Sequence, residues 1–258
     1  MTYSASQKVA IITGASKRIG REITSQLHKR GFNVAIHYHH SKIEAETLAT
    51  SLNSVRTHSA ITVSGNLLNL DIFPQLVEAV IDNWGQLDLL VNNASSFYPT
   101  PVEEATINLE TTNLETTQQA WDDLMGSNLK APYFLSLACI PFLKLTQGKI
   151  INIVDIYGLQ PLIHHSIYSM AKAGLIMMTK ALAKELAPDI EVNAVAPGAI
   201  LWPEDNAELS SEKKQKIIDN TAMKTQGNAS DIAQAVTFLA CDAQYISGNI
   251  IKVDGGRF

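Results

Sequence analysis

Short runs of aliphatic residues alternate along this chain with longer segments in which apolar positions recur every three or four residues. Val9–Ile12, Asn33–Tyr38, Ala60–Ser64, Leu87–Val91, Lys149–Val154, Glu191–Ala196 and Asn249–Val253 read as strands, most of them too continuously apolar to have a solvated face. Between them, Ile19, Ile23 and Leu27 carry a helix up to a Gly31 stop, Ile43 to Leu52 carries a second, and Ile72, Leu76, Val80 and Trp84 stripe a third. Long helices are predicted over 118–145 and 167–186, and Ser230 opens a last one with Ile232, Ala235, Val236 and Leu239 on its apolar face. Strands that alternate with helices specify an α/β protein with a parallel sheet, because parallel neighbours need a crossover between them.

Two stretches interrupt this rhythm. Asn-Leu-Glu-Thr-Thr occurs twice in succession from Asn108 to Thr117, and two polar pentapeptides cannot stack into a solenoid, so 95–120 is expected to be a surface insertion. Beyond the turn Pro197-Gly198, the polar stretch 199–228 carries Trp202 and a short charged helix from Ser211 to Asp219, and is expected to be a substrate lid. Pro132, inside the first long helix, has no N–H for the carbonyl of Asn128, which predicts a kink there. The freed carbonyl either holds a water at the sheet end or merely marks a helix bent around the core.

No Pro/Gly/Ser-rich linker divides the chain, so residues 1–258 are expected to form a single domain. With 20 Lys+Arg against 25 Asp+Glu, and no basic run beyond Lys213-Lys214-Gln215-Lys216, nucleic acid and anionic membrane are excluded as expected partners. No apolar stretch approaches transmembrane length, and the apolar run after Lys8 is too short for a signal peptide, so a cytoplasmic protein is expected. Cys139 and Cys241 lie in apolar helical segments and read as reduced core thiols.

Candidate chemistry gathers at the carboxyl ends of the strands, where open α/β sheets bind ligands. Tyr168 and Lys172, four apart on a helix, leave the same face, and an adjacent ammonium is expected to lower the phenol's pKa; the bland alternative is two exposed residues of an amphipathic helix. Asp155 follows the strand Lys149–Val154 and is either a functional acid or a cap on the next turn. Gly14 and Gly20 flank a strand-to-helix turn suited to a pyrophosphate. No acid occurs between Gly31 and Ile43, whereas Lys17, Arg18, His39, His40, Ser41 and Lys42 offer donors for a 2′-phosphate, so the expected cofactor is NADPH. The histidines lack an accompanying Cys or carboxylate, and no metal is expected. Phe97, in Ser95-Ser96-Phe97-Tyr98-Pro99, is either core or a stacking platform for a flat ligand.

Taken in order, Thr13-Gly14-x3-Arg18-x-Gly20, Asn92-Asn93-Ala94, Asn128, Tyr168-x3-Lys172, Pro197-Gly198 and Val253-Asp254-Gly255-Gly256 resemble the short-chain dehydrogenase/reductase family over essentially the whole chain. The resemblance implies a single-domain, Rossmann-like, doubly wound α/β fold with a parallel sheet of about seven strands. It makes Tyr168 the proton donor, Lys172 the group that tunes it and binds the nicotinamide ribose, and Asn128 a proton-relay residue that holds water through its main chain. Ile19, Asn66, Leu67, Asn93, Ala94, Ser95, Pro197 and Gly198 would line the cofactor. Arg18 replaces the family's middle glycine, Ser95 its glycine after Asn-Asn-Ala, and Asp155 its catalytic serine. These departures, with His37-Tyr38-His39-x-Ser41 and Ser95 to Pro99, resemble the pteridine reductases, although His40 stands where that group often has Arg. That likeness implies a pterin or folate substrate stacked on Phe97 and contacted by Arg18 and Ser95, protonation by Asp155 with Tyr168, and a homotetramer. A carbonyl or 3-oxoacyl reductase shares the fold, but an ionised Asp155 has no hydroxyl to offer a carbonyl oxygen. A non-catalytic NADPH-binding regulator is the other reading, against which Tyr168 and Lys172 both stand intact.

Overall fold

The structure, a computed structural model, describes residues 7–102, 114–200, 202 and 210–257. Seven strands form one parallel sheet: β1 (Val9–Ile12), β2 (Asn33–Tyr38), β3 (Ala60–Ser64), β4 (Leu89–Asn92), β5 (Lys149–Ile153), β6 (Glu191–Pro197) and β7 (Ile250–Val253), in the order β3-β2-β1-β4-β5-β6-β7. The helices are α1 (Arg18–Lys29), α2 (Lys42–Val55), α3 (Ile72–Trp84), α4 (Leu114–Met125), α5 (Ala131–Thr146), α6 (Ser166–Glu185), α7 (Ser211–Asp219) and α8 (Ala229–Cys241). This is the doubly wound α/β architecture expected, and it follows from the alternation of side chains along each strand. In β1, Val9 and Ile11 enter the core shared with α3, α5 and α6, while Ala10 and Ile12 enter the one shared with α1, α2 and α8. Each fully buried Ile or Leu contributes roughly 1.5–3 kcal/mol, so both faces need helical cover.

The chain winds outward from β1 to β3, then returns to place β4 beside β1, in register Ala10↔Leu89 to Ile12↔Val91. That reversal opens a crevice at the carboxyl ends of β1 and β4, the position at which such sheets take ligands.

Three sequence expectations need correction. The helix predicted over 118–145 is two helices joined by a π-helical turn, Gly126–Lys130, closed by the N–H of Ala131 on the carbonyl of Gly126. Pro132 supplies no N–H at the next step, so the wide turn accompanies the missing donor rather than a simple kink. The helix predicted from Gln118 begins instead at Leu114, within the expected insertion; residues 103–113, including the first copy of the repeat, lie outside the described residues. Leu87 is fully buried but precedes β4, because burial alone does not make a residue part of a strand. Of the expected lid, α7 forms as predicted, whereas 201 and 203–209 lie outside the described residues. Among the described residues, no helix is long and apolar enough to cross a membrane.

Candidate active site

The turn after β1 is tied to the end of β4. Thr13 Oγ1 accepts from the N–H groups of Asn93 (2.9 Å) and Ala94 (3.0 Å), and Asn93 Nδ2 donates back to the carbonyls of Thr13 (2.8 Å) and Gly14 (3.0 Å). Gly14 sits at φ +59°, which an L side chain rarely adopts, and a Cβ at Gly20 would lie 2.2 Å from the Gly14 carbonyl oxygen. Glycine is therefore required at both ends of the turn, and the start of α1 is left facing the crevice, a cradle that fits a pyrophosphate.

Beneath the crevice, a buried polar chain joins the central elements. Asn92 Nδ2 donates to Asn152 Oδ1 (2.8 Å), and Asn152 Nδ2 donates to Thr179 Oγ1 (2.9 Å). Beside it, Asn128 is fully buried in the π-helical turn, and its Nδ2 donates to the carbonyls of Ser96 (2.9 Å) and Leu124 (3.0 Å). Its Oδ1 has no protein partner, a deficit that water or ligand ordinarily fills.

The cavity above has a volume of about 740 Å³. Asp155 caps the 3₁₀ turn Ile156–Gly158, its Oδ1 accepting from the Tyr157 N–H at 2.9 Å, while its Oδ2 accepts from Tyr168 Oη at 2.8 Å. The acid is thus both the backbone cap and the partner of the phenol, two roles the sequence presented as alternatives. Lys172 Nζ donates to the Ile153 carbonyl at 3.0 Å and stands 5.6 Å from the centre of the Tyr168 ring.

Electrostatics here run opposite to the sequence expectation for the phenol. Burial first, and then the Asp155 carboxylate, raise the Tyr168 pKa well above its ordinary value. Burial also pushes the Lys172 ammonium down to about 8, against the pull of Asp155. Asp155 itself is raised by burial, which outweighs its bonds from Tyr157 and Tyr168 and the charges of Lys172 and Arg257. In this arrangement the proton is held tightly by the Tyr168–Asp155 pair, and the expected lowering of the phenol by Lys172 is absent.

Phe97 is 43% exposed, so it is not core; its ring stacks on His165 (4.8 Å between centres, 15° between planes) and meets Tyr168 edge-on at 4.8 Å. Arg18 has φ +50°, and its Nη2 donates to the Trp202 carbonyl at 3.0 Å. Arg18, Ile19, Asn93, Ser95, Phe97, Asp155, Tyr168, Lys172, Pro197 and Gly198 share this one cavity. The remaining expected cofactor residues lie away from its lining. His39 and His40 are exposed after β2 with ring centres 3.6 Å apart, Asn66 and Leu67 follow β3, and Lys17 forms an ion pair with Glu44 at 2.8 Å.

The structure adds residues that sequence reasoning passed over. Tyr157 and His165 line the cavity, as does Arg257, whose Nη2 donates to Tyr157 Oη at 3.0 Å. Tyr157 was legible as a neighbour of Asp155; Arg257, 100 residues after Tyr157, carried no local signal.

Comparison with known proteins agrees with this architecture. The family model described as Enoyl-(Acyl carrier protein) reductase matches residues 14–257. Pteridine reductase 1 of Leishmania tarentolae is 37% identical over 286 aligned positions, which cover 99% of this chain and 98% of that protein. The 3-oxoacyl-(acyl-carrier-protein) reductase FabG of Staphylococcus epidermidis is 36% identical, covering 97% of this chain and 99% of its own length. Its counterpart in Staphylococcus aureus strain Mu50 is 35% identical, covering 97% and 98% respectively.

Proposed function

This chain belongs to the short-chain dehydrogenase/reductase family, an oxidoreductase by that membership, and we propose that it is an NADPH-dependent pteridine reductase taking a 7,8-dihydropterin or dihydrofolate to the tetrahydro form. One observation carries the substrate class. Where a carbonyl reductase needs a hydroxyl to hold the substrate oxygen, this site has the Asp155 carboxyl group bonded to Tyr168 at 2.8 Å. A C=N bond asks for something different: its carbon takes a hydride and its nitrogen a proton, and an acid pair suits the second requirement.

NADPH, when bound, supplies the hydride. The glycine turn and the start of α1 would hold its pyrophosphate, Lys172 its ribose, and Lys17, His39, His40 and Ser41 its 2′-phosphate. Tyr168 and Asp155 hold a proton at Oη and relay it to the substrate nitrogen. Asn128 would hold a relay water through the main chain of the turn around it, and Phe97 offers a ring face to the flat substrate, with Arg18 and Ser95 at its polar edge. Exposed Tyr133, Phe134 and Leu137 on α5 and Met170 and Met177 on α6 provide apolar surface for assembly into a homotetramer, to be checked by light scattering.

NADPH consumption measured side by side with dihydrobiopterin, dihydromonapterin, dihydrofolate and an acetoacetyl thioester tests the reading. Turnover of the pterins with little or none of the thioester is expected. The opposite order would make the protein a 3-oxoacyl reductase, in line with the similar identity of those relatives.

A further inference from the structure

His37 is the penultimate residue of β2 and is 2% exposed, yet neither of its ring nitrogens is spent on core structure remote from the crevice. Nδ1 accepts from the N–H of Gly14 at 3.3 Å, and Nε2 lies 3.1 Å from the carbonyl oxygen of Gly65. A carbonyl can only accept, so Nε2 carries the proton, and Nδ1 is left as the acceptor that the Gly14 N–H needs. The main chain repeats the connection one residue later, where the His37 carbonyl accepts from the Ala15 N–H at 2.9 Å. One imidazole thus joins the glycine turn after β1 to the end of β3, the two segments between which the adenosine half of a dinucleotide would lie. Burial lowers its pKa to about 4, which keeps the ring neutral and both bonds in place at ordinary pH.

We propose that His37 is a positioning residue for the cofactor: by accepting the Gly14 N–H and donating to the Gly65 carbonyl, it holds the glycine turn in the shape that receives NADPH, without touching the cofactor itself. The inference rests on the NADPH reading given above. It also separates the two ring nitrogens by task. The Gly14 bond acts directly on the turn, whereas the Gly65 bond fixes the tautomer and the ring's orientation.

Amide side chains can divide those tasks. The carbonyl oxygen of an Asn at this position overlays Nδ1, so His37→Asn keeps an acceptor for Gly14, and the amide nitrogen of a Gln overlays Nε2, so His37→Gln keeps only the donor to Gly65. NADPH affinity of the wild type, His37→Asn, His37→Gln and His37→Phe would be read by fluorescence titration, with the melting temperature of each cofactor-free variant recorded alongside. The expected result is that His37→Gln and His37→Phe weaken NADPH binding by about tenfold or more, as for loss of a positioned hydrogen bond, while His37→Asn stays within about threefold of wild type. With NADPH saturating, kcat should stay near that of wild type in every variant. Equal weakening by Asn and Gln that follows the loss of melting temperature would make His37 a structural core residue and overturn the proposal. Unchanged affinity in the Gln and Phe variants would overturn it too. Failure of the wild type itself to bind NADPH would instead remove the cofactor reading together with this inference.

Discussion

The hydroxyl of Tyr168 donates to Oδ2 of Asp155 across 2.8 Å, inside a cavity where Tyr168 is buried and Asp155 partly so. The bond makes the two residues one proton-holding unit. Asp155→Ala should therefore lower kcat toward a dihydropterin by about a hundredfold or more, the usual worth of a positioned acid. Asp155→Ser should be nearly as damaging to pterins while admitting weak activity on a ketone, since its hydroxyl can donate to a carbonyl oxygen. Steady-state rates of the two variants with both substrate types check this. An Asp155→Ala enzyme with most of its pterin kcat would leave the acid as no more than the cap of Tyr157.

The same pair predicts a pH profile. Burial raises the Asp155 pKa, so its carboxyl group is protonated over more of the acid range than an exposed one. Pterin reduction is expected to speed up as pH falls below neutral, and that rise should vanish in Asp155→Ala. A rise that survives the substitution would assign it to the substrate or to another group.

Cofactor choice turns on a residue just past the window read in the sequence. No acid lies between Gly31 and Ile43, yet Glu44, the next carboxylate, is in the first turn of α2 and pairs with Lys17 at 2.8 Å. Both side chains are substantially exposed, so the pair competes weakly with a 2′-phosphate. NADPH should still be favoured over NADH by about tenfold or more in kcat/KM, and Glu44→Gln should widen that preference by roughly two- to fivefold by removing a carboxylate that competes with the phosphate for Lys17. Kinetics with the two cofactors on both proteins would show it; equal kcat/KM values in the wild type would sink the NADPH assignment.

The strand and helix pattern was legible because burial on both faces of the sheet imposes long aliphatic runs, and the site's location followed because strand ends are where such runs stop. Tyr168, Lys172 and Asp155 were legible for that reason. The phenol's electrostatics were not: spacing showed that Lys172 lies one turn from Tyr168, but only three dimensions show its ammonium turned to the Ile153 carbonyl and the phenol turned to Asp155. The π-helical turn at Asn128 was half legible, since Pro132 announces a missing donor but not how the helix absorbs it. His165 and Arg257 enter the cavity through tertiary contacts that no local periodicity encodes.

Phe97 is the substrate platform in this reading, and its exposure separates that role from packing. Phe97→Ala should raise KM for pterin by about ten- to a hundredfold, as for an aromatic stacking loss of roughly 1–3 kcal/mol. NADPH affinity and melting temperature should hardly move, because a ring 43% exposed contributes little to the core. A fall in melting temperature with pterin KM unchanged would assign Phe97 to packing against His165 and Tyr168.

Lys172 leaves a signature in stability that does not depend on any substrate. Its ammonium is buried and its pKa falls from an ordinary 10.5 to about 8. Below pH 8 the side chain is protonated in both the folded and unfolded chain, so the native state carries the full cost of burying the charge. Between pH 8 and 10.5 the native state releases a proton that the unfolded chain keeps, and stability must rise with pH over that window. The whole difference is roughly 3 kcal/mol, taking about 1.4 kcal/mol per pKa unit. Asp155 runs the other way, since a carboxyl group with a raised pKa loses stability as pH rises through its folded value, but it is common to the wild type and the Lys172 variant. Lys172→Met should accordingly be more stable than wild type at pH 7, with the gap closing by pH 10, as thermal melts of the two proteins across that range would show. A gap that stays constant with pH would mean that Lys172 remains charged in the folded protein throughout, held by Asp155 more strongly than burial opposes it.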